Sequence, residues 1–473
     1  MSVEVVDRQR EVGQLQELAA NPPALVILRG RRRIGKTFLL RVALTGDRVV
    51  HFQAEEQPRA LQIEAFANEC RRVVPGAPPL SFGTWADALQ FVGDQATQAG
   101  PLVIALDEFQ YLASSDPALV STIQRFWDQW DSGGTPVMLV LSGSALSFMQ
   151  GLLTGSRPTF GRSMYRPVLL PLSYRDCASF APEGSSADTL IERFAVLGGT
   201  PQYQRWAGSR SLARILSEII LPPDAALHSE PENLVRLEAG IREPGPYFGV
   251  LQAIAEGYSS TSTIAGRLEI KQQLATQYLS RLQQLGYVAR VEPLEPGGKS
   301  AARGHWTTID PYFRFWFRYV LVNRSRLARG RIREVADEIR RDLPNFMGPV
   351  FEDVCRDWVG RYSALGEGAL EVGSWWSRRS DVEVDVVTLE KKGYGLLGSC
   401  KWWRKRVGAA ELDDLHRARA VMGPKAAQAR LALFARGGFT PEVVERASLE
   451  NVTLVGPDDL FGRLPQGPRR RDL

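Results

Sequence analysis

Gly30-Arg-Arg-Arg-Ile-Gly-Lys-Thr37 has the spacing G-x-x-x-x-G-K-[ST] of a phosphate-cradling loop. Residues 24–29, Ala-Leu-Val-Ile-Leu-Arg, read as a short buried strand, and 37–44 as an amphipathic helix. Strand, loop and helix in that order are the context the spacing requires. Glycine lets the backbone of Gly30, Arg31, Arg32, Arg33, Ile34 and Gly35 bend until its N–H groups point at phosphate oxygens. The helix N-terminus adds partial positive charge. Lys36 brings a compact, flexible ammonium to the β- and γ-phosphates, and Thr37 a hydroxyl to Mg2+. The expected ligands are therefore ATP and Mg2+.

The wider composition sharpens the weight of that lysine. The chain has 473 residues, with 58 Lys and Arg against 53 Asp and Glu, a net charge of +5 and an isoelectric point near 9.0. Fifty of the basic residues are Arg and eight are Lys, and Lys36 is the only lysine in the first 270 residues. Arg is bulkier and planar and does not replace Lys simply at such a loop. Hydrophobic residues make up 44% and charged residues 23%, which excludes a disordered or fibrous chain. No apolar run approaches the roughly 18 residues of a membrane span. The N-terminus lacks a signal-peptide layout, so the expected location is cytoplasmic, with no membrane partner. Cys70, Cys177, Cys355 and Cys400 are too scattered for a zinc site or a disulfide framework.

Further apolar strands are expected at 49–53, 102–106, 137–141 and 168–170, separated by segments of helical length such as 58–72. The alternation predicts an α/β fold with a parallel sheet covered on both faces. Asp107 ends the 102–106 strand, as a Mg2+-side carboxylate does. Glu108 follows it and is placed to polarise the attacking water; a capping acidic pair is the plain alternative. Ser144 ends the next strand, where it can sense the γ-phosphate or simply close a turn. Arg162 is the candidate arginine finger toward a neighbouring subunit, with Arg166 its rival, so a homo-oligomer is left open.

From about residue 188 the pattern turns helical, with a turn at Gly198-Gly-Thr-Pro201. From 246 to 309 three helices and a hairpin give a winged helix-turn-helix layout. The third helix, 271–285, sets Leu274, Tyr278, Leu282 and Leu285 on one face. Gln272, Gln273, Thr276, Gln277, Ser280 and Arg281 lie on the other. Amides and hydroxyls can read base edges, while Arg290, Lys299 and Arg303 around the wing can meet phosphates. DNA is the expected partner; a lid or protein contact is the alternative. An Arg-rich helix at 325–341 leads to a last domain with a helix at 350–358, a hairpin at 382–389 and 394–402, a helix at 409–422 and a strand at 431–434. The expected division is 1–187, 188–243, 244–320, 321–343 and 344–473.

The loop, Leu106-Asp-Glu-Phe-Gln-Tyr-Leu112, the Ser142-Gly-Ser144 strand end and Gly198-Gly-Thr-Pro-Gln-Tyr203 together resemble the archaeal-type ATPase family, a group of AAA-like and STAND-like P-loop ATPases. The resemblance runs through the three-helix region and Ile309-Asp-Pro-Tyr-Phe-Arg-Phe-Trp-Phe-Arg318 into the C-terminal domain of unknown function that usually follows. That domain resembles PD-(D/E)xK nucleases. The resemblance implies a P-loop sheet with a helical lid, a winged helix and a restriction-endonuclease-like C-terminal domain. It also implies a nuclease-like cluster of Glu352, Asp385, Ser399 and Lys401, with Glu383 on the Asp385 face. Relatives often read Gly-Glu-Cys-Lys-Trp where this chain reads Gly398-Ser-Cys-Lys-Trp402. A serine hydroxyl cannot supply a carboxylate's charge to a hard cation. Either Glu352 or Glu383 compensates, or the domain binds without cleaving. The readings kept open are an ATPase acting on DNA, a STAND-like switch acting through assembly, a DNA-binding regulator, and an active nuclease.

Overall fold

The computed structural model describes residues 5–74, 81–153, 163–238, 241, 243–298, 304–379 and 381–462. The chain forms two compact units. The first comprises 1–171 with 238–240 and 284–286; the second comprises 172–237, 241–283 and 287–473. The division falls between Pro171 and Leu172, not at the expected 187. No helix among the described residues is long and apolar enough to cross a membrane.

The first unit is built on five parallel strands: β1 (Ala24–Gly30), β2 (Val49–Gln53), β3 (Leu102–Asp107), β4 (Val137–Gly143) and β5 (Val168–Leu169), in the order β2-β3-β4-β1-β5. Every residue of β3 and β4 is buried, as expected where helices cover both faces. Alternation along β1 divides the two cores. Leu25 and Ile27 pack with Ile104, Leu139, Phe109 and Trp127 on one face. Val26 and Leu28 pack with Ile34, Leu39, Leu40 and Val140 on the other. The strand order places β4 between β1 and β3. The loop after β1, the carboxylate end of β3 and the Ser142-Gly143-Ser144 end of β4 therefore open on the same end of the sheet.

In the second unit, helices Ala187–Leu197 and Pro201–Ala207 meet at Gly198, whose φ of 65° and ψ of −170° suit glycine almost alone. A Cβ there would lie 2.4 Å from Asp310 Oδ1, the carboxylate that accepts from Tyr312 N at 2.9 Å to cap helix Pro311–Phe315. Helices Gly245–Ala255, Thr261–Arg267 and Gln272–Gln284 follow. Ser260 caps the second of them by accepting from Thr263 N at 3.1 Å. An antiparallel ribbon, β6 (Val288–Val291) and β7 (His305–Thr308), completes this region.

Two expectations are corrected here. The Gln272–Gln284 helix buries Ala275, Leu279 and Leu282, while Leu274 is exposed and Tyr278 half-buried. Leu282 and Leu285 are buried as expected, so the departure is confined to the first half of the helix, where Ala275 and Leu279 take the buried positions. The helices expected at 325–341 and 350–358 are mostly one: Ile332–Arg361 runs for 30 residues through Pro344 and Pro349. Both prolines lie on the exposed side, so the carbonyls they leave unbonded face solvent. The boundary expected at 344 falls inside this helix.

The C-terminal sheet contains β8 (Glu371–Trp376), β9 (Glu383–Glu390), β10 (Gly393–Lys401), β11 (Arg430–Ala435) and β12 (Val452–Val455), ordered β12-β11-β10-β9-β8. β8, β9 and β10 are antiparallel, and β10, β11 and β12 parallel. The long helix packs on it through Phe351 against Trp402 and Trp358 against Phe434. The segment after β6 ties to the same sheet: Leu294 N donates to Ser374 O at 2.9 Å, and Tyr394 Oη donates to Leu294 O at 3.1 Å.

Gly198→Ala should destabilise the second unit by about 1–3 kcal/mol, the cost of a non-glycine residue in that backbone region. Denaturant unfolding measures it; an unchanged midpoint contradicts the account.

Candidate functional site

The site begins at the β1 loop. Gly35 has φ 95° and stands at the N-cap of the helix Lys36–Ala43, so the chain turns sharply into the helix. At Gly30 a Cβ would lie 2.9 Å from Ile34 Cγ2 and 3.1 Å from Leu169 O. Glycine there lets Ile34 fold under the loop. Arg33 also takes a left-handed conformation, with φ 65°. The Arg32 guanidinium donates to Tyr111 Oη at 2.6 Å, tying the loop to the helix Phe109–Ser115.

Lys36 is only 4% exposed. Its ammonium donates to Gly30 O at 3.0 Å and Arg31 O at 3.2 Å and lies 3.9 Å from Glu108 Oε1. Burial pulls its pKa down, and the carboxylates of Glu108 and Asp107 oppose that pull. The Thr37 hydroxyl donates to Asp107 Oδ2, and Glu108 N donates to Asp107 Oδ1 at 3.0 Å. A hydroxyl and a carboxylate meeting at a phosphate loop are the hard oxygen donors Mg2+ takes together with nucleotide phosphates.

Glu108 sits at φ 52°, left-handed, between the end of β3 and the next helix. That kink brings its carboxylate back over the sheet end. Its Oε2 accepts from Ser144 Oγ at 2.6 Å and from Gln110 Nε2. The structure thus gathers Gly30 to Thr37, Asp107, Glu108 and Ser144 at one place. Gln110 belongs to the same cluster and was not singled out from the sequence, although it lies two residues beyond the acidic pair. Arg162 lies outside the described residues. Arg166 donates through Nε to Ser163 Oγ at 2.5 Å, and its charge helps lower the pKa of Arg29, behind burial as the main cause.

In the second unit, Glu352 from the long helix, Asp385 from β9 and Ser399 from β10 come together. Asp385 Oδ2 accepts from Cys400 N at 2.7 Å and from Ser399 Oγ at 3.3 Å. Arg356 donates to Asp385 O at 2.6 Å and lies 3.7 Å from Glu352. Lys401 turns to the Trp403 ring, 5.6 Å away, and no described hydrogen bond joins it to Asp385. Glu383 is exposed. On the helix Gln272–Gln284, Gln272, Gln273, Thr276 and Gln277 are exposed and Arg281 is half-buried. The Thr276 hydroxyl donates to Gln272 O at 2.9 Å. Arg290 lies over the Trp306 ring, while Lys299 and Arg303 lie outside the described residues.

Residues 316–412 match the family described as archaeal and bacterial proteins of unknown function, DUF234. The C-terminal domain implied by the sequence resemblance is therefore present, on the same chain as a P-loop sheet. An uncharacterized protein of Methanocaldococcus jannaschii is 27% identical over 405 residues, 84% of this chain and 87% of the relative. Among solved structures, a Walker-type ATPase of Pyrococcus abyssi is similar at 18% identity and a TM-score of 0.46, over 66% of this chain and 96% of that one. The ORC2 protein of Aeropyrum pernix, solved with ADPNP and ADP, is similar at 17% identity and a TM-score of 0.43, over 69% and 96%.

Burial, followed by the charge of Asp385, pushes Glu352 up to about 8 from an ordinary 4.5. An acid raised in the folded state contributes stability that is complete below its unfolded pKa and lost as pH rises through its folded pKa. The second unit should therefore lose stability from about pH 4.5 to about pH 8, and Glu352→Gln should flatten that loss. Denaturation of both proteins across this range checks it; identical pH profiles contradict it.

Proposed function

We propose that the chain is a Mg2+-dependent ATPase whose nucleotide cycle is coupled to DNA binding or to a conformational switch in the second unit. The convergence of Lys36, Thr37, Asp107 and Glu108 on one sheet end carries this reading. Lys36 and the loop N–H groups would hold the β- and γ-phosphates. Thr37 and Asp107 would hold Mg2+, which neutralises charge on the phosphate oxygens. Glu108 would orient and polarise the attacking water, with Ser144 steadying its carboxylate. Because Lys36 is bonded to its own loop carbonyls, phosphate oxygens would replace those partners and reorder the loop.

The three helices and ribbon support a winged-helix reading, and the exposed amides of Gln272, Gln273 and Gln277 support DNA contact. In the nuclease-like site, Asp385 Oδ2 already takes two donors, and Ser399 adds no charge for a cation. This supports a domain that binds without cleaving.

Lys36→Ala should lose ATP binding, whereas Glu108→Gln should bind ATP and release no phosphate. Normal hydrolysis by both variants contradicts the site. For the second unit, Gln273→Ala with Gln277→Ala should weaken duplex DNA binding by about tenfold or more, from two hydrogen-bonding side chains. Fluorescence anisotropy at fixed salt measures it, and unchanged binding removes the helix from the interface.

A further inference from the structure

Gln110 lies between the two polar groups of the sheet end and touches both. Its Nε2 donates to Glu108 Oε2 and, at 3.1 Å, to Ser144 Oγ. The Ser144 hydroxyl donates in turn to Glu108 Oε2 at 2.6 Å. The Glu108 and Ser144 oxygens lie close together on one side of the amide nitrogen, so one amide N–H faces the pair, and the hydroxyl hydrogen serves the carboxylate. Turning the amide over would set its oxygen against Glu108 Oε2, so the carboxylate selects this orientation.

Two features show how tightly the side chain is held. Gln110 is 8% exposed, and its Oε1 is buried with no hydrogen-bond partner among the described residues. A residue serving packing alone would more cheaply be apolar, since an unmatched buried acceptor is costly. At Gly143 a Cβ would lie 2.8 Å from Gln110 Oε1 and 2.5 Å from Met149 Sδ. Glycine at the end of β4 is what admits the amide.

We infer that Gln110 is a positioning residue for ATP hydrolysis. With Ser144 it pins Oε2 of Glu108, which leaves Oε1 on the Lys36 side of the site, 3.9 Å from the ammonium. A carboxylate held at one oxygen is oriented before the reaction and need not be reorganised during it. The neighbouring Tyr111 accepts from Arg32 of the phosphate loop, so one short helix contacts both the loop and the carboxylate. This role rests on the ATPase reading above.

The test uses the full chain, with ATP turnover and binding of a fluorescent ATP analogue measured in parallel. Gln110→Leu keeps the size and removes both donors. It should lower kcat by about tenfold or more while KM and Kd stay within about twofold. Gln110→Glu, of the same length, should do the same by setting a second carboxylate against Glu108. Adding Ser144→Ala to Gln110→Leu should cost less than the product of the single effects, because both hold one oxygen. Thermal midpoints near wild type confirm that the variants fold. An unimpaired kcat in Gln110→Leu beside an active wild type overturns the role and leaves the ATPase reading intact. Loss of ATP affinity in step with kcat makes Gln110 structural and also overturns it. A wild type that binds ATP and releases no phosphate overturns both.

Discussion

The contact between the Thr37 hydroxyl and the Asp107 carboxylate joins the helix that follows β1 to the end of β3, a strand that does not neighbour β1 in the sheet. β1 and β3 are separated by β4, and these side chains reach across its end to connect them. Everything else at the site is arranged around that span. Asp107 is oriented through its other oxygen by Glu108 N, and Glu108 is turned back by its left-handed backbone. Ser144, at the end of the intervening strand, meets the turned carboxylate. The buried ammonium of Lys36 is the costly element. Removing a charge from water takes several kcal/mol, and the loop carbonyls and Glu108 offset it. The parallel sheet, covered on both faces, supplies the rigid frame that keeps these partners in register.

The phosphate loop was legible because its information is local. Eight consecutive residues carry both the bend and the charge, and the flanking apolar runs fix the strand and helix around them. Asp107 and Glu108 were legible for the same reason, each marked by the end of a buried strand. Gln110 was not, because its role depends on the φ of Glu108 and on a contact with Ser144, 34 residues away. Nothing in the spacing of Phe109-Gln110-Tyr111 announces either.

The second unit shows where periodicity and helix-breaker rules lose force. On the Gln272–Gln284 helix, Leu274, Tyr278, Leu282 and Leu285 suggested the core face; Leu282 and Leu285 are buried, but Ala275 and Leu279 are buried in place of Leu274 and Tyr278. A domain boundary was expected at residue 344, yet Pro344 and Pro349 both sit on the exposed side of one continuous helix, where the carbonyls they leave unbonded are solvated. The gathering of Glu352, Asp385 and Ser399 followed from the resemblance rather than from spacing. The structure adds that Cys400 N and Arg356 are part of the same cluster, on Asp385. Such backbone and cross-element partners are invisible to a strand pattern.

The central claim is that the end of the parallel sheet hydrolyses ATP with the help of a divalent cation. Phosphate release from ATP by the full chain, followed with Mg2+ and again with the cation chelated, tests it most directly. The account predicts steady turnover with Mg2+ and loss of turnover on chelation. Absence of phosphate release under both conditions, or equal release under both, would contradict it.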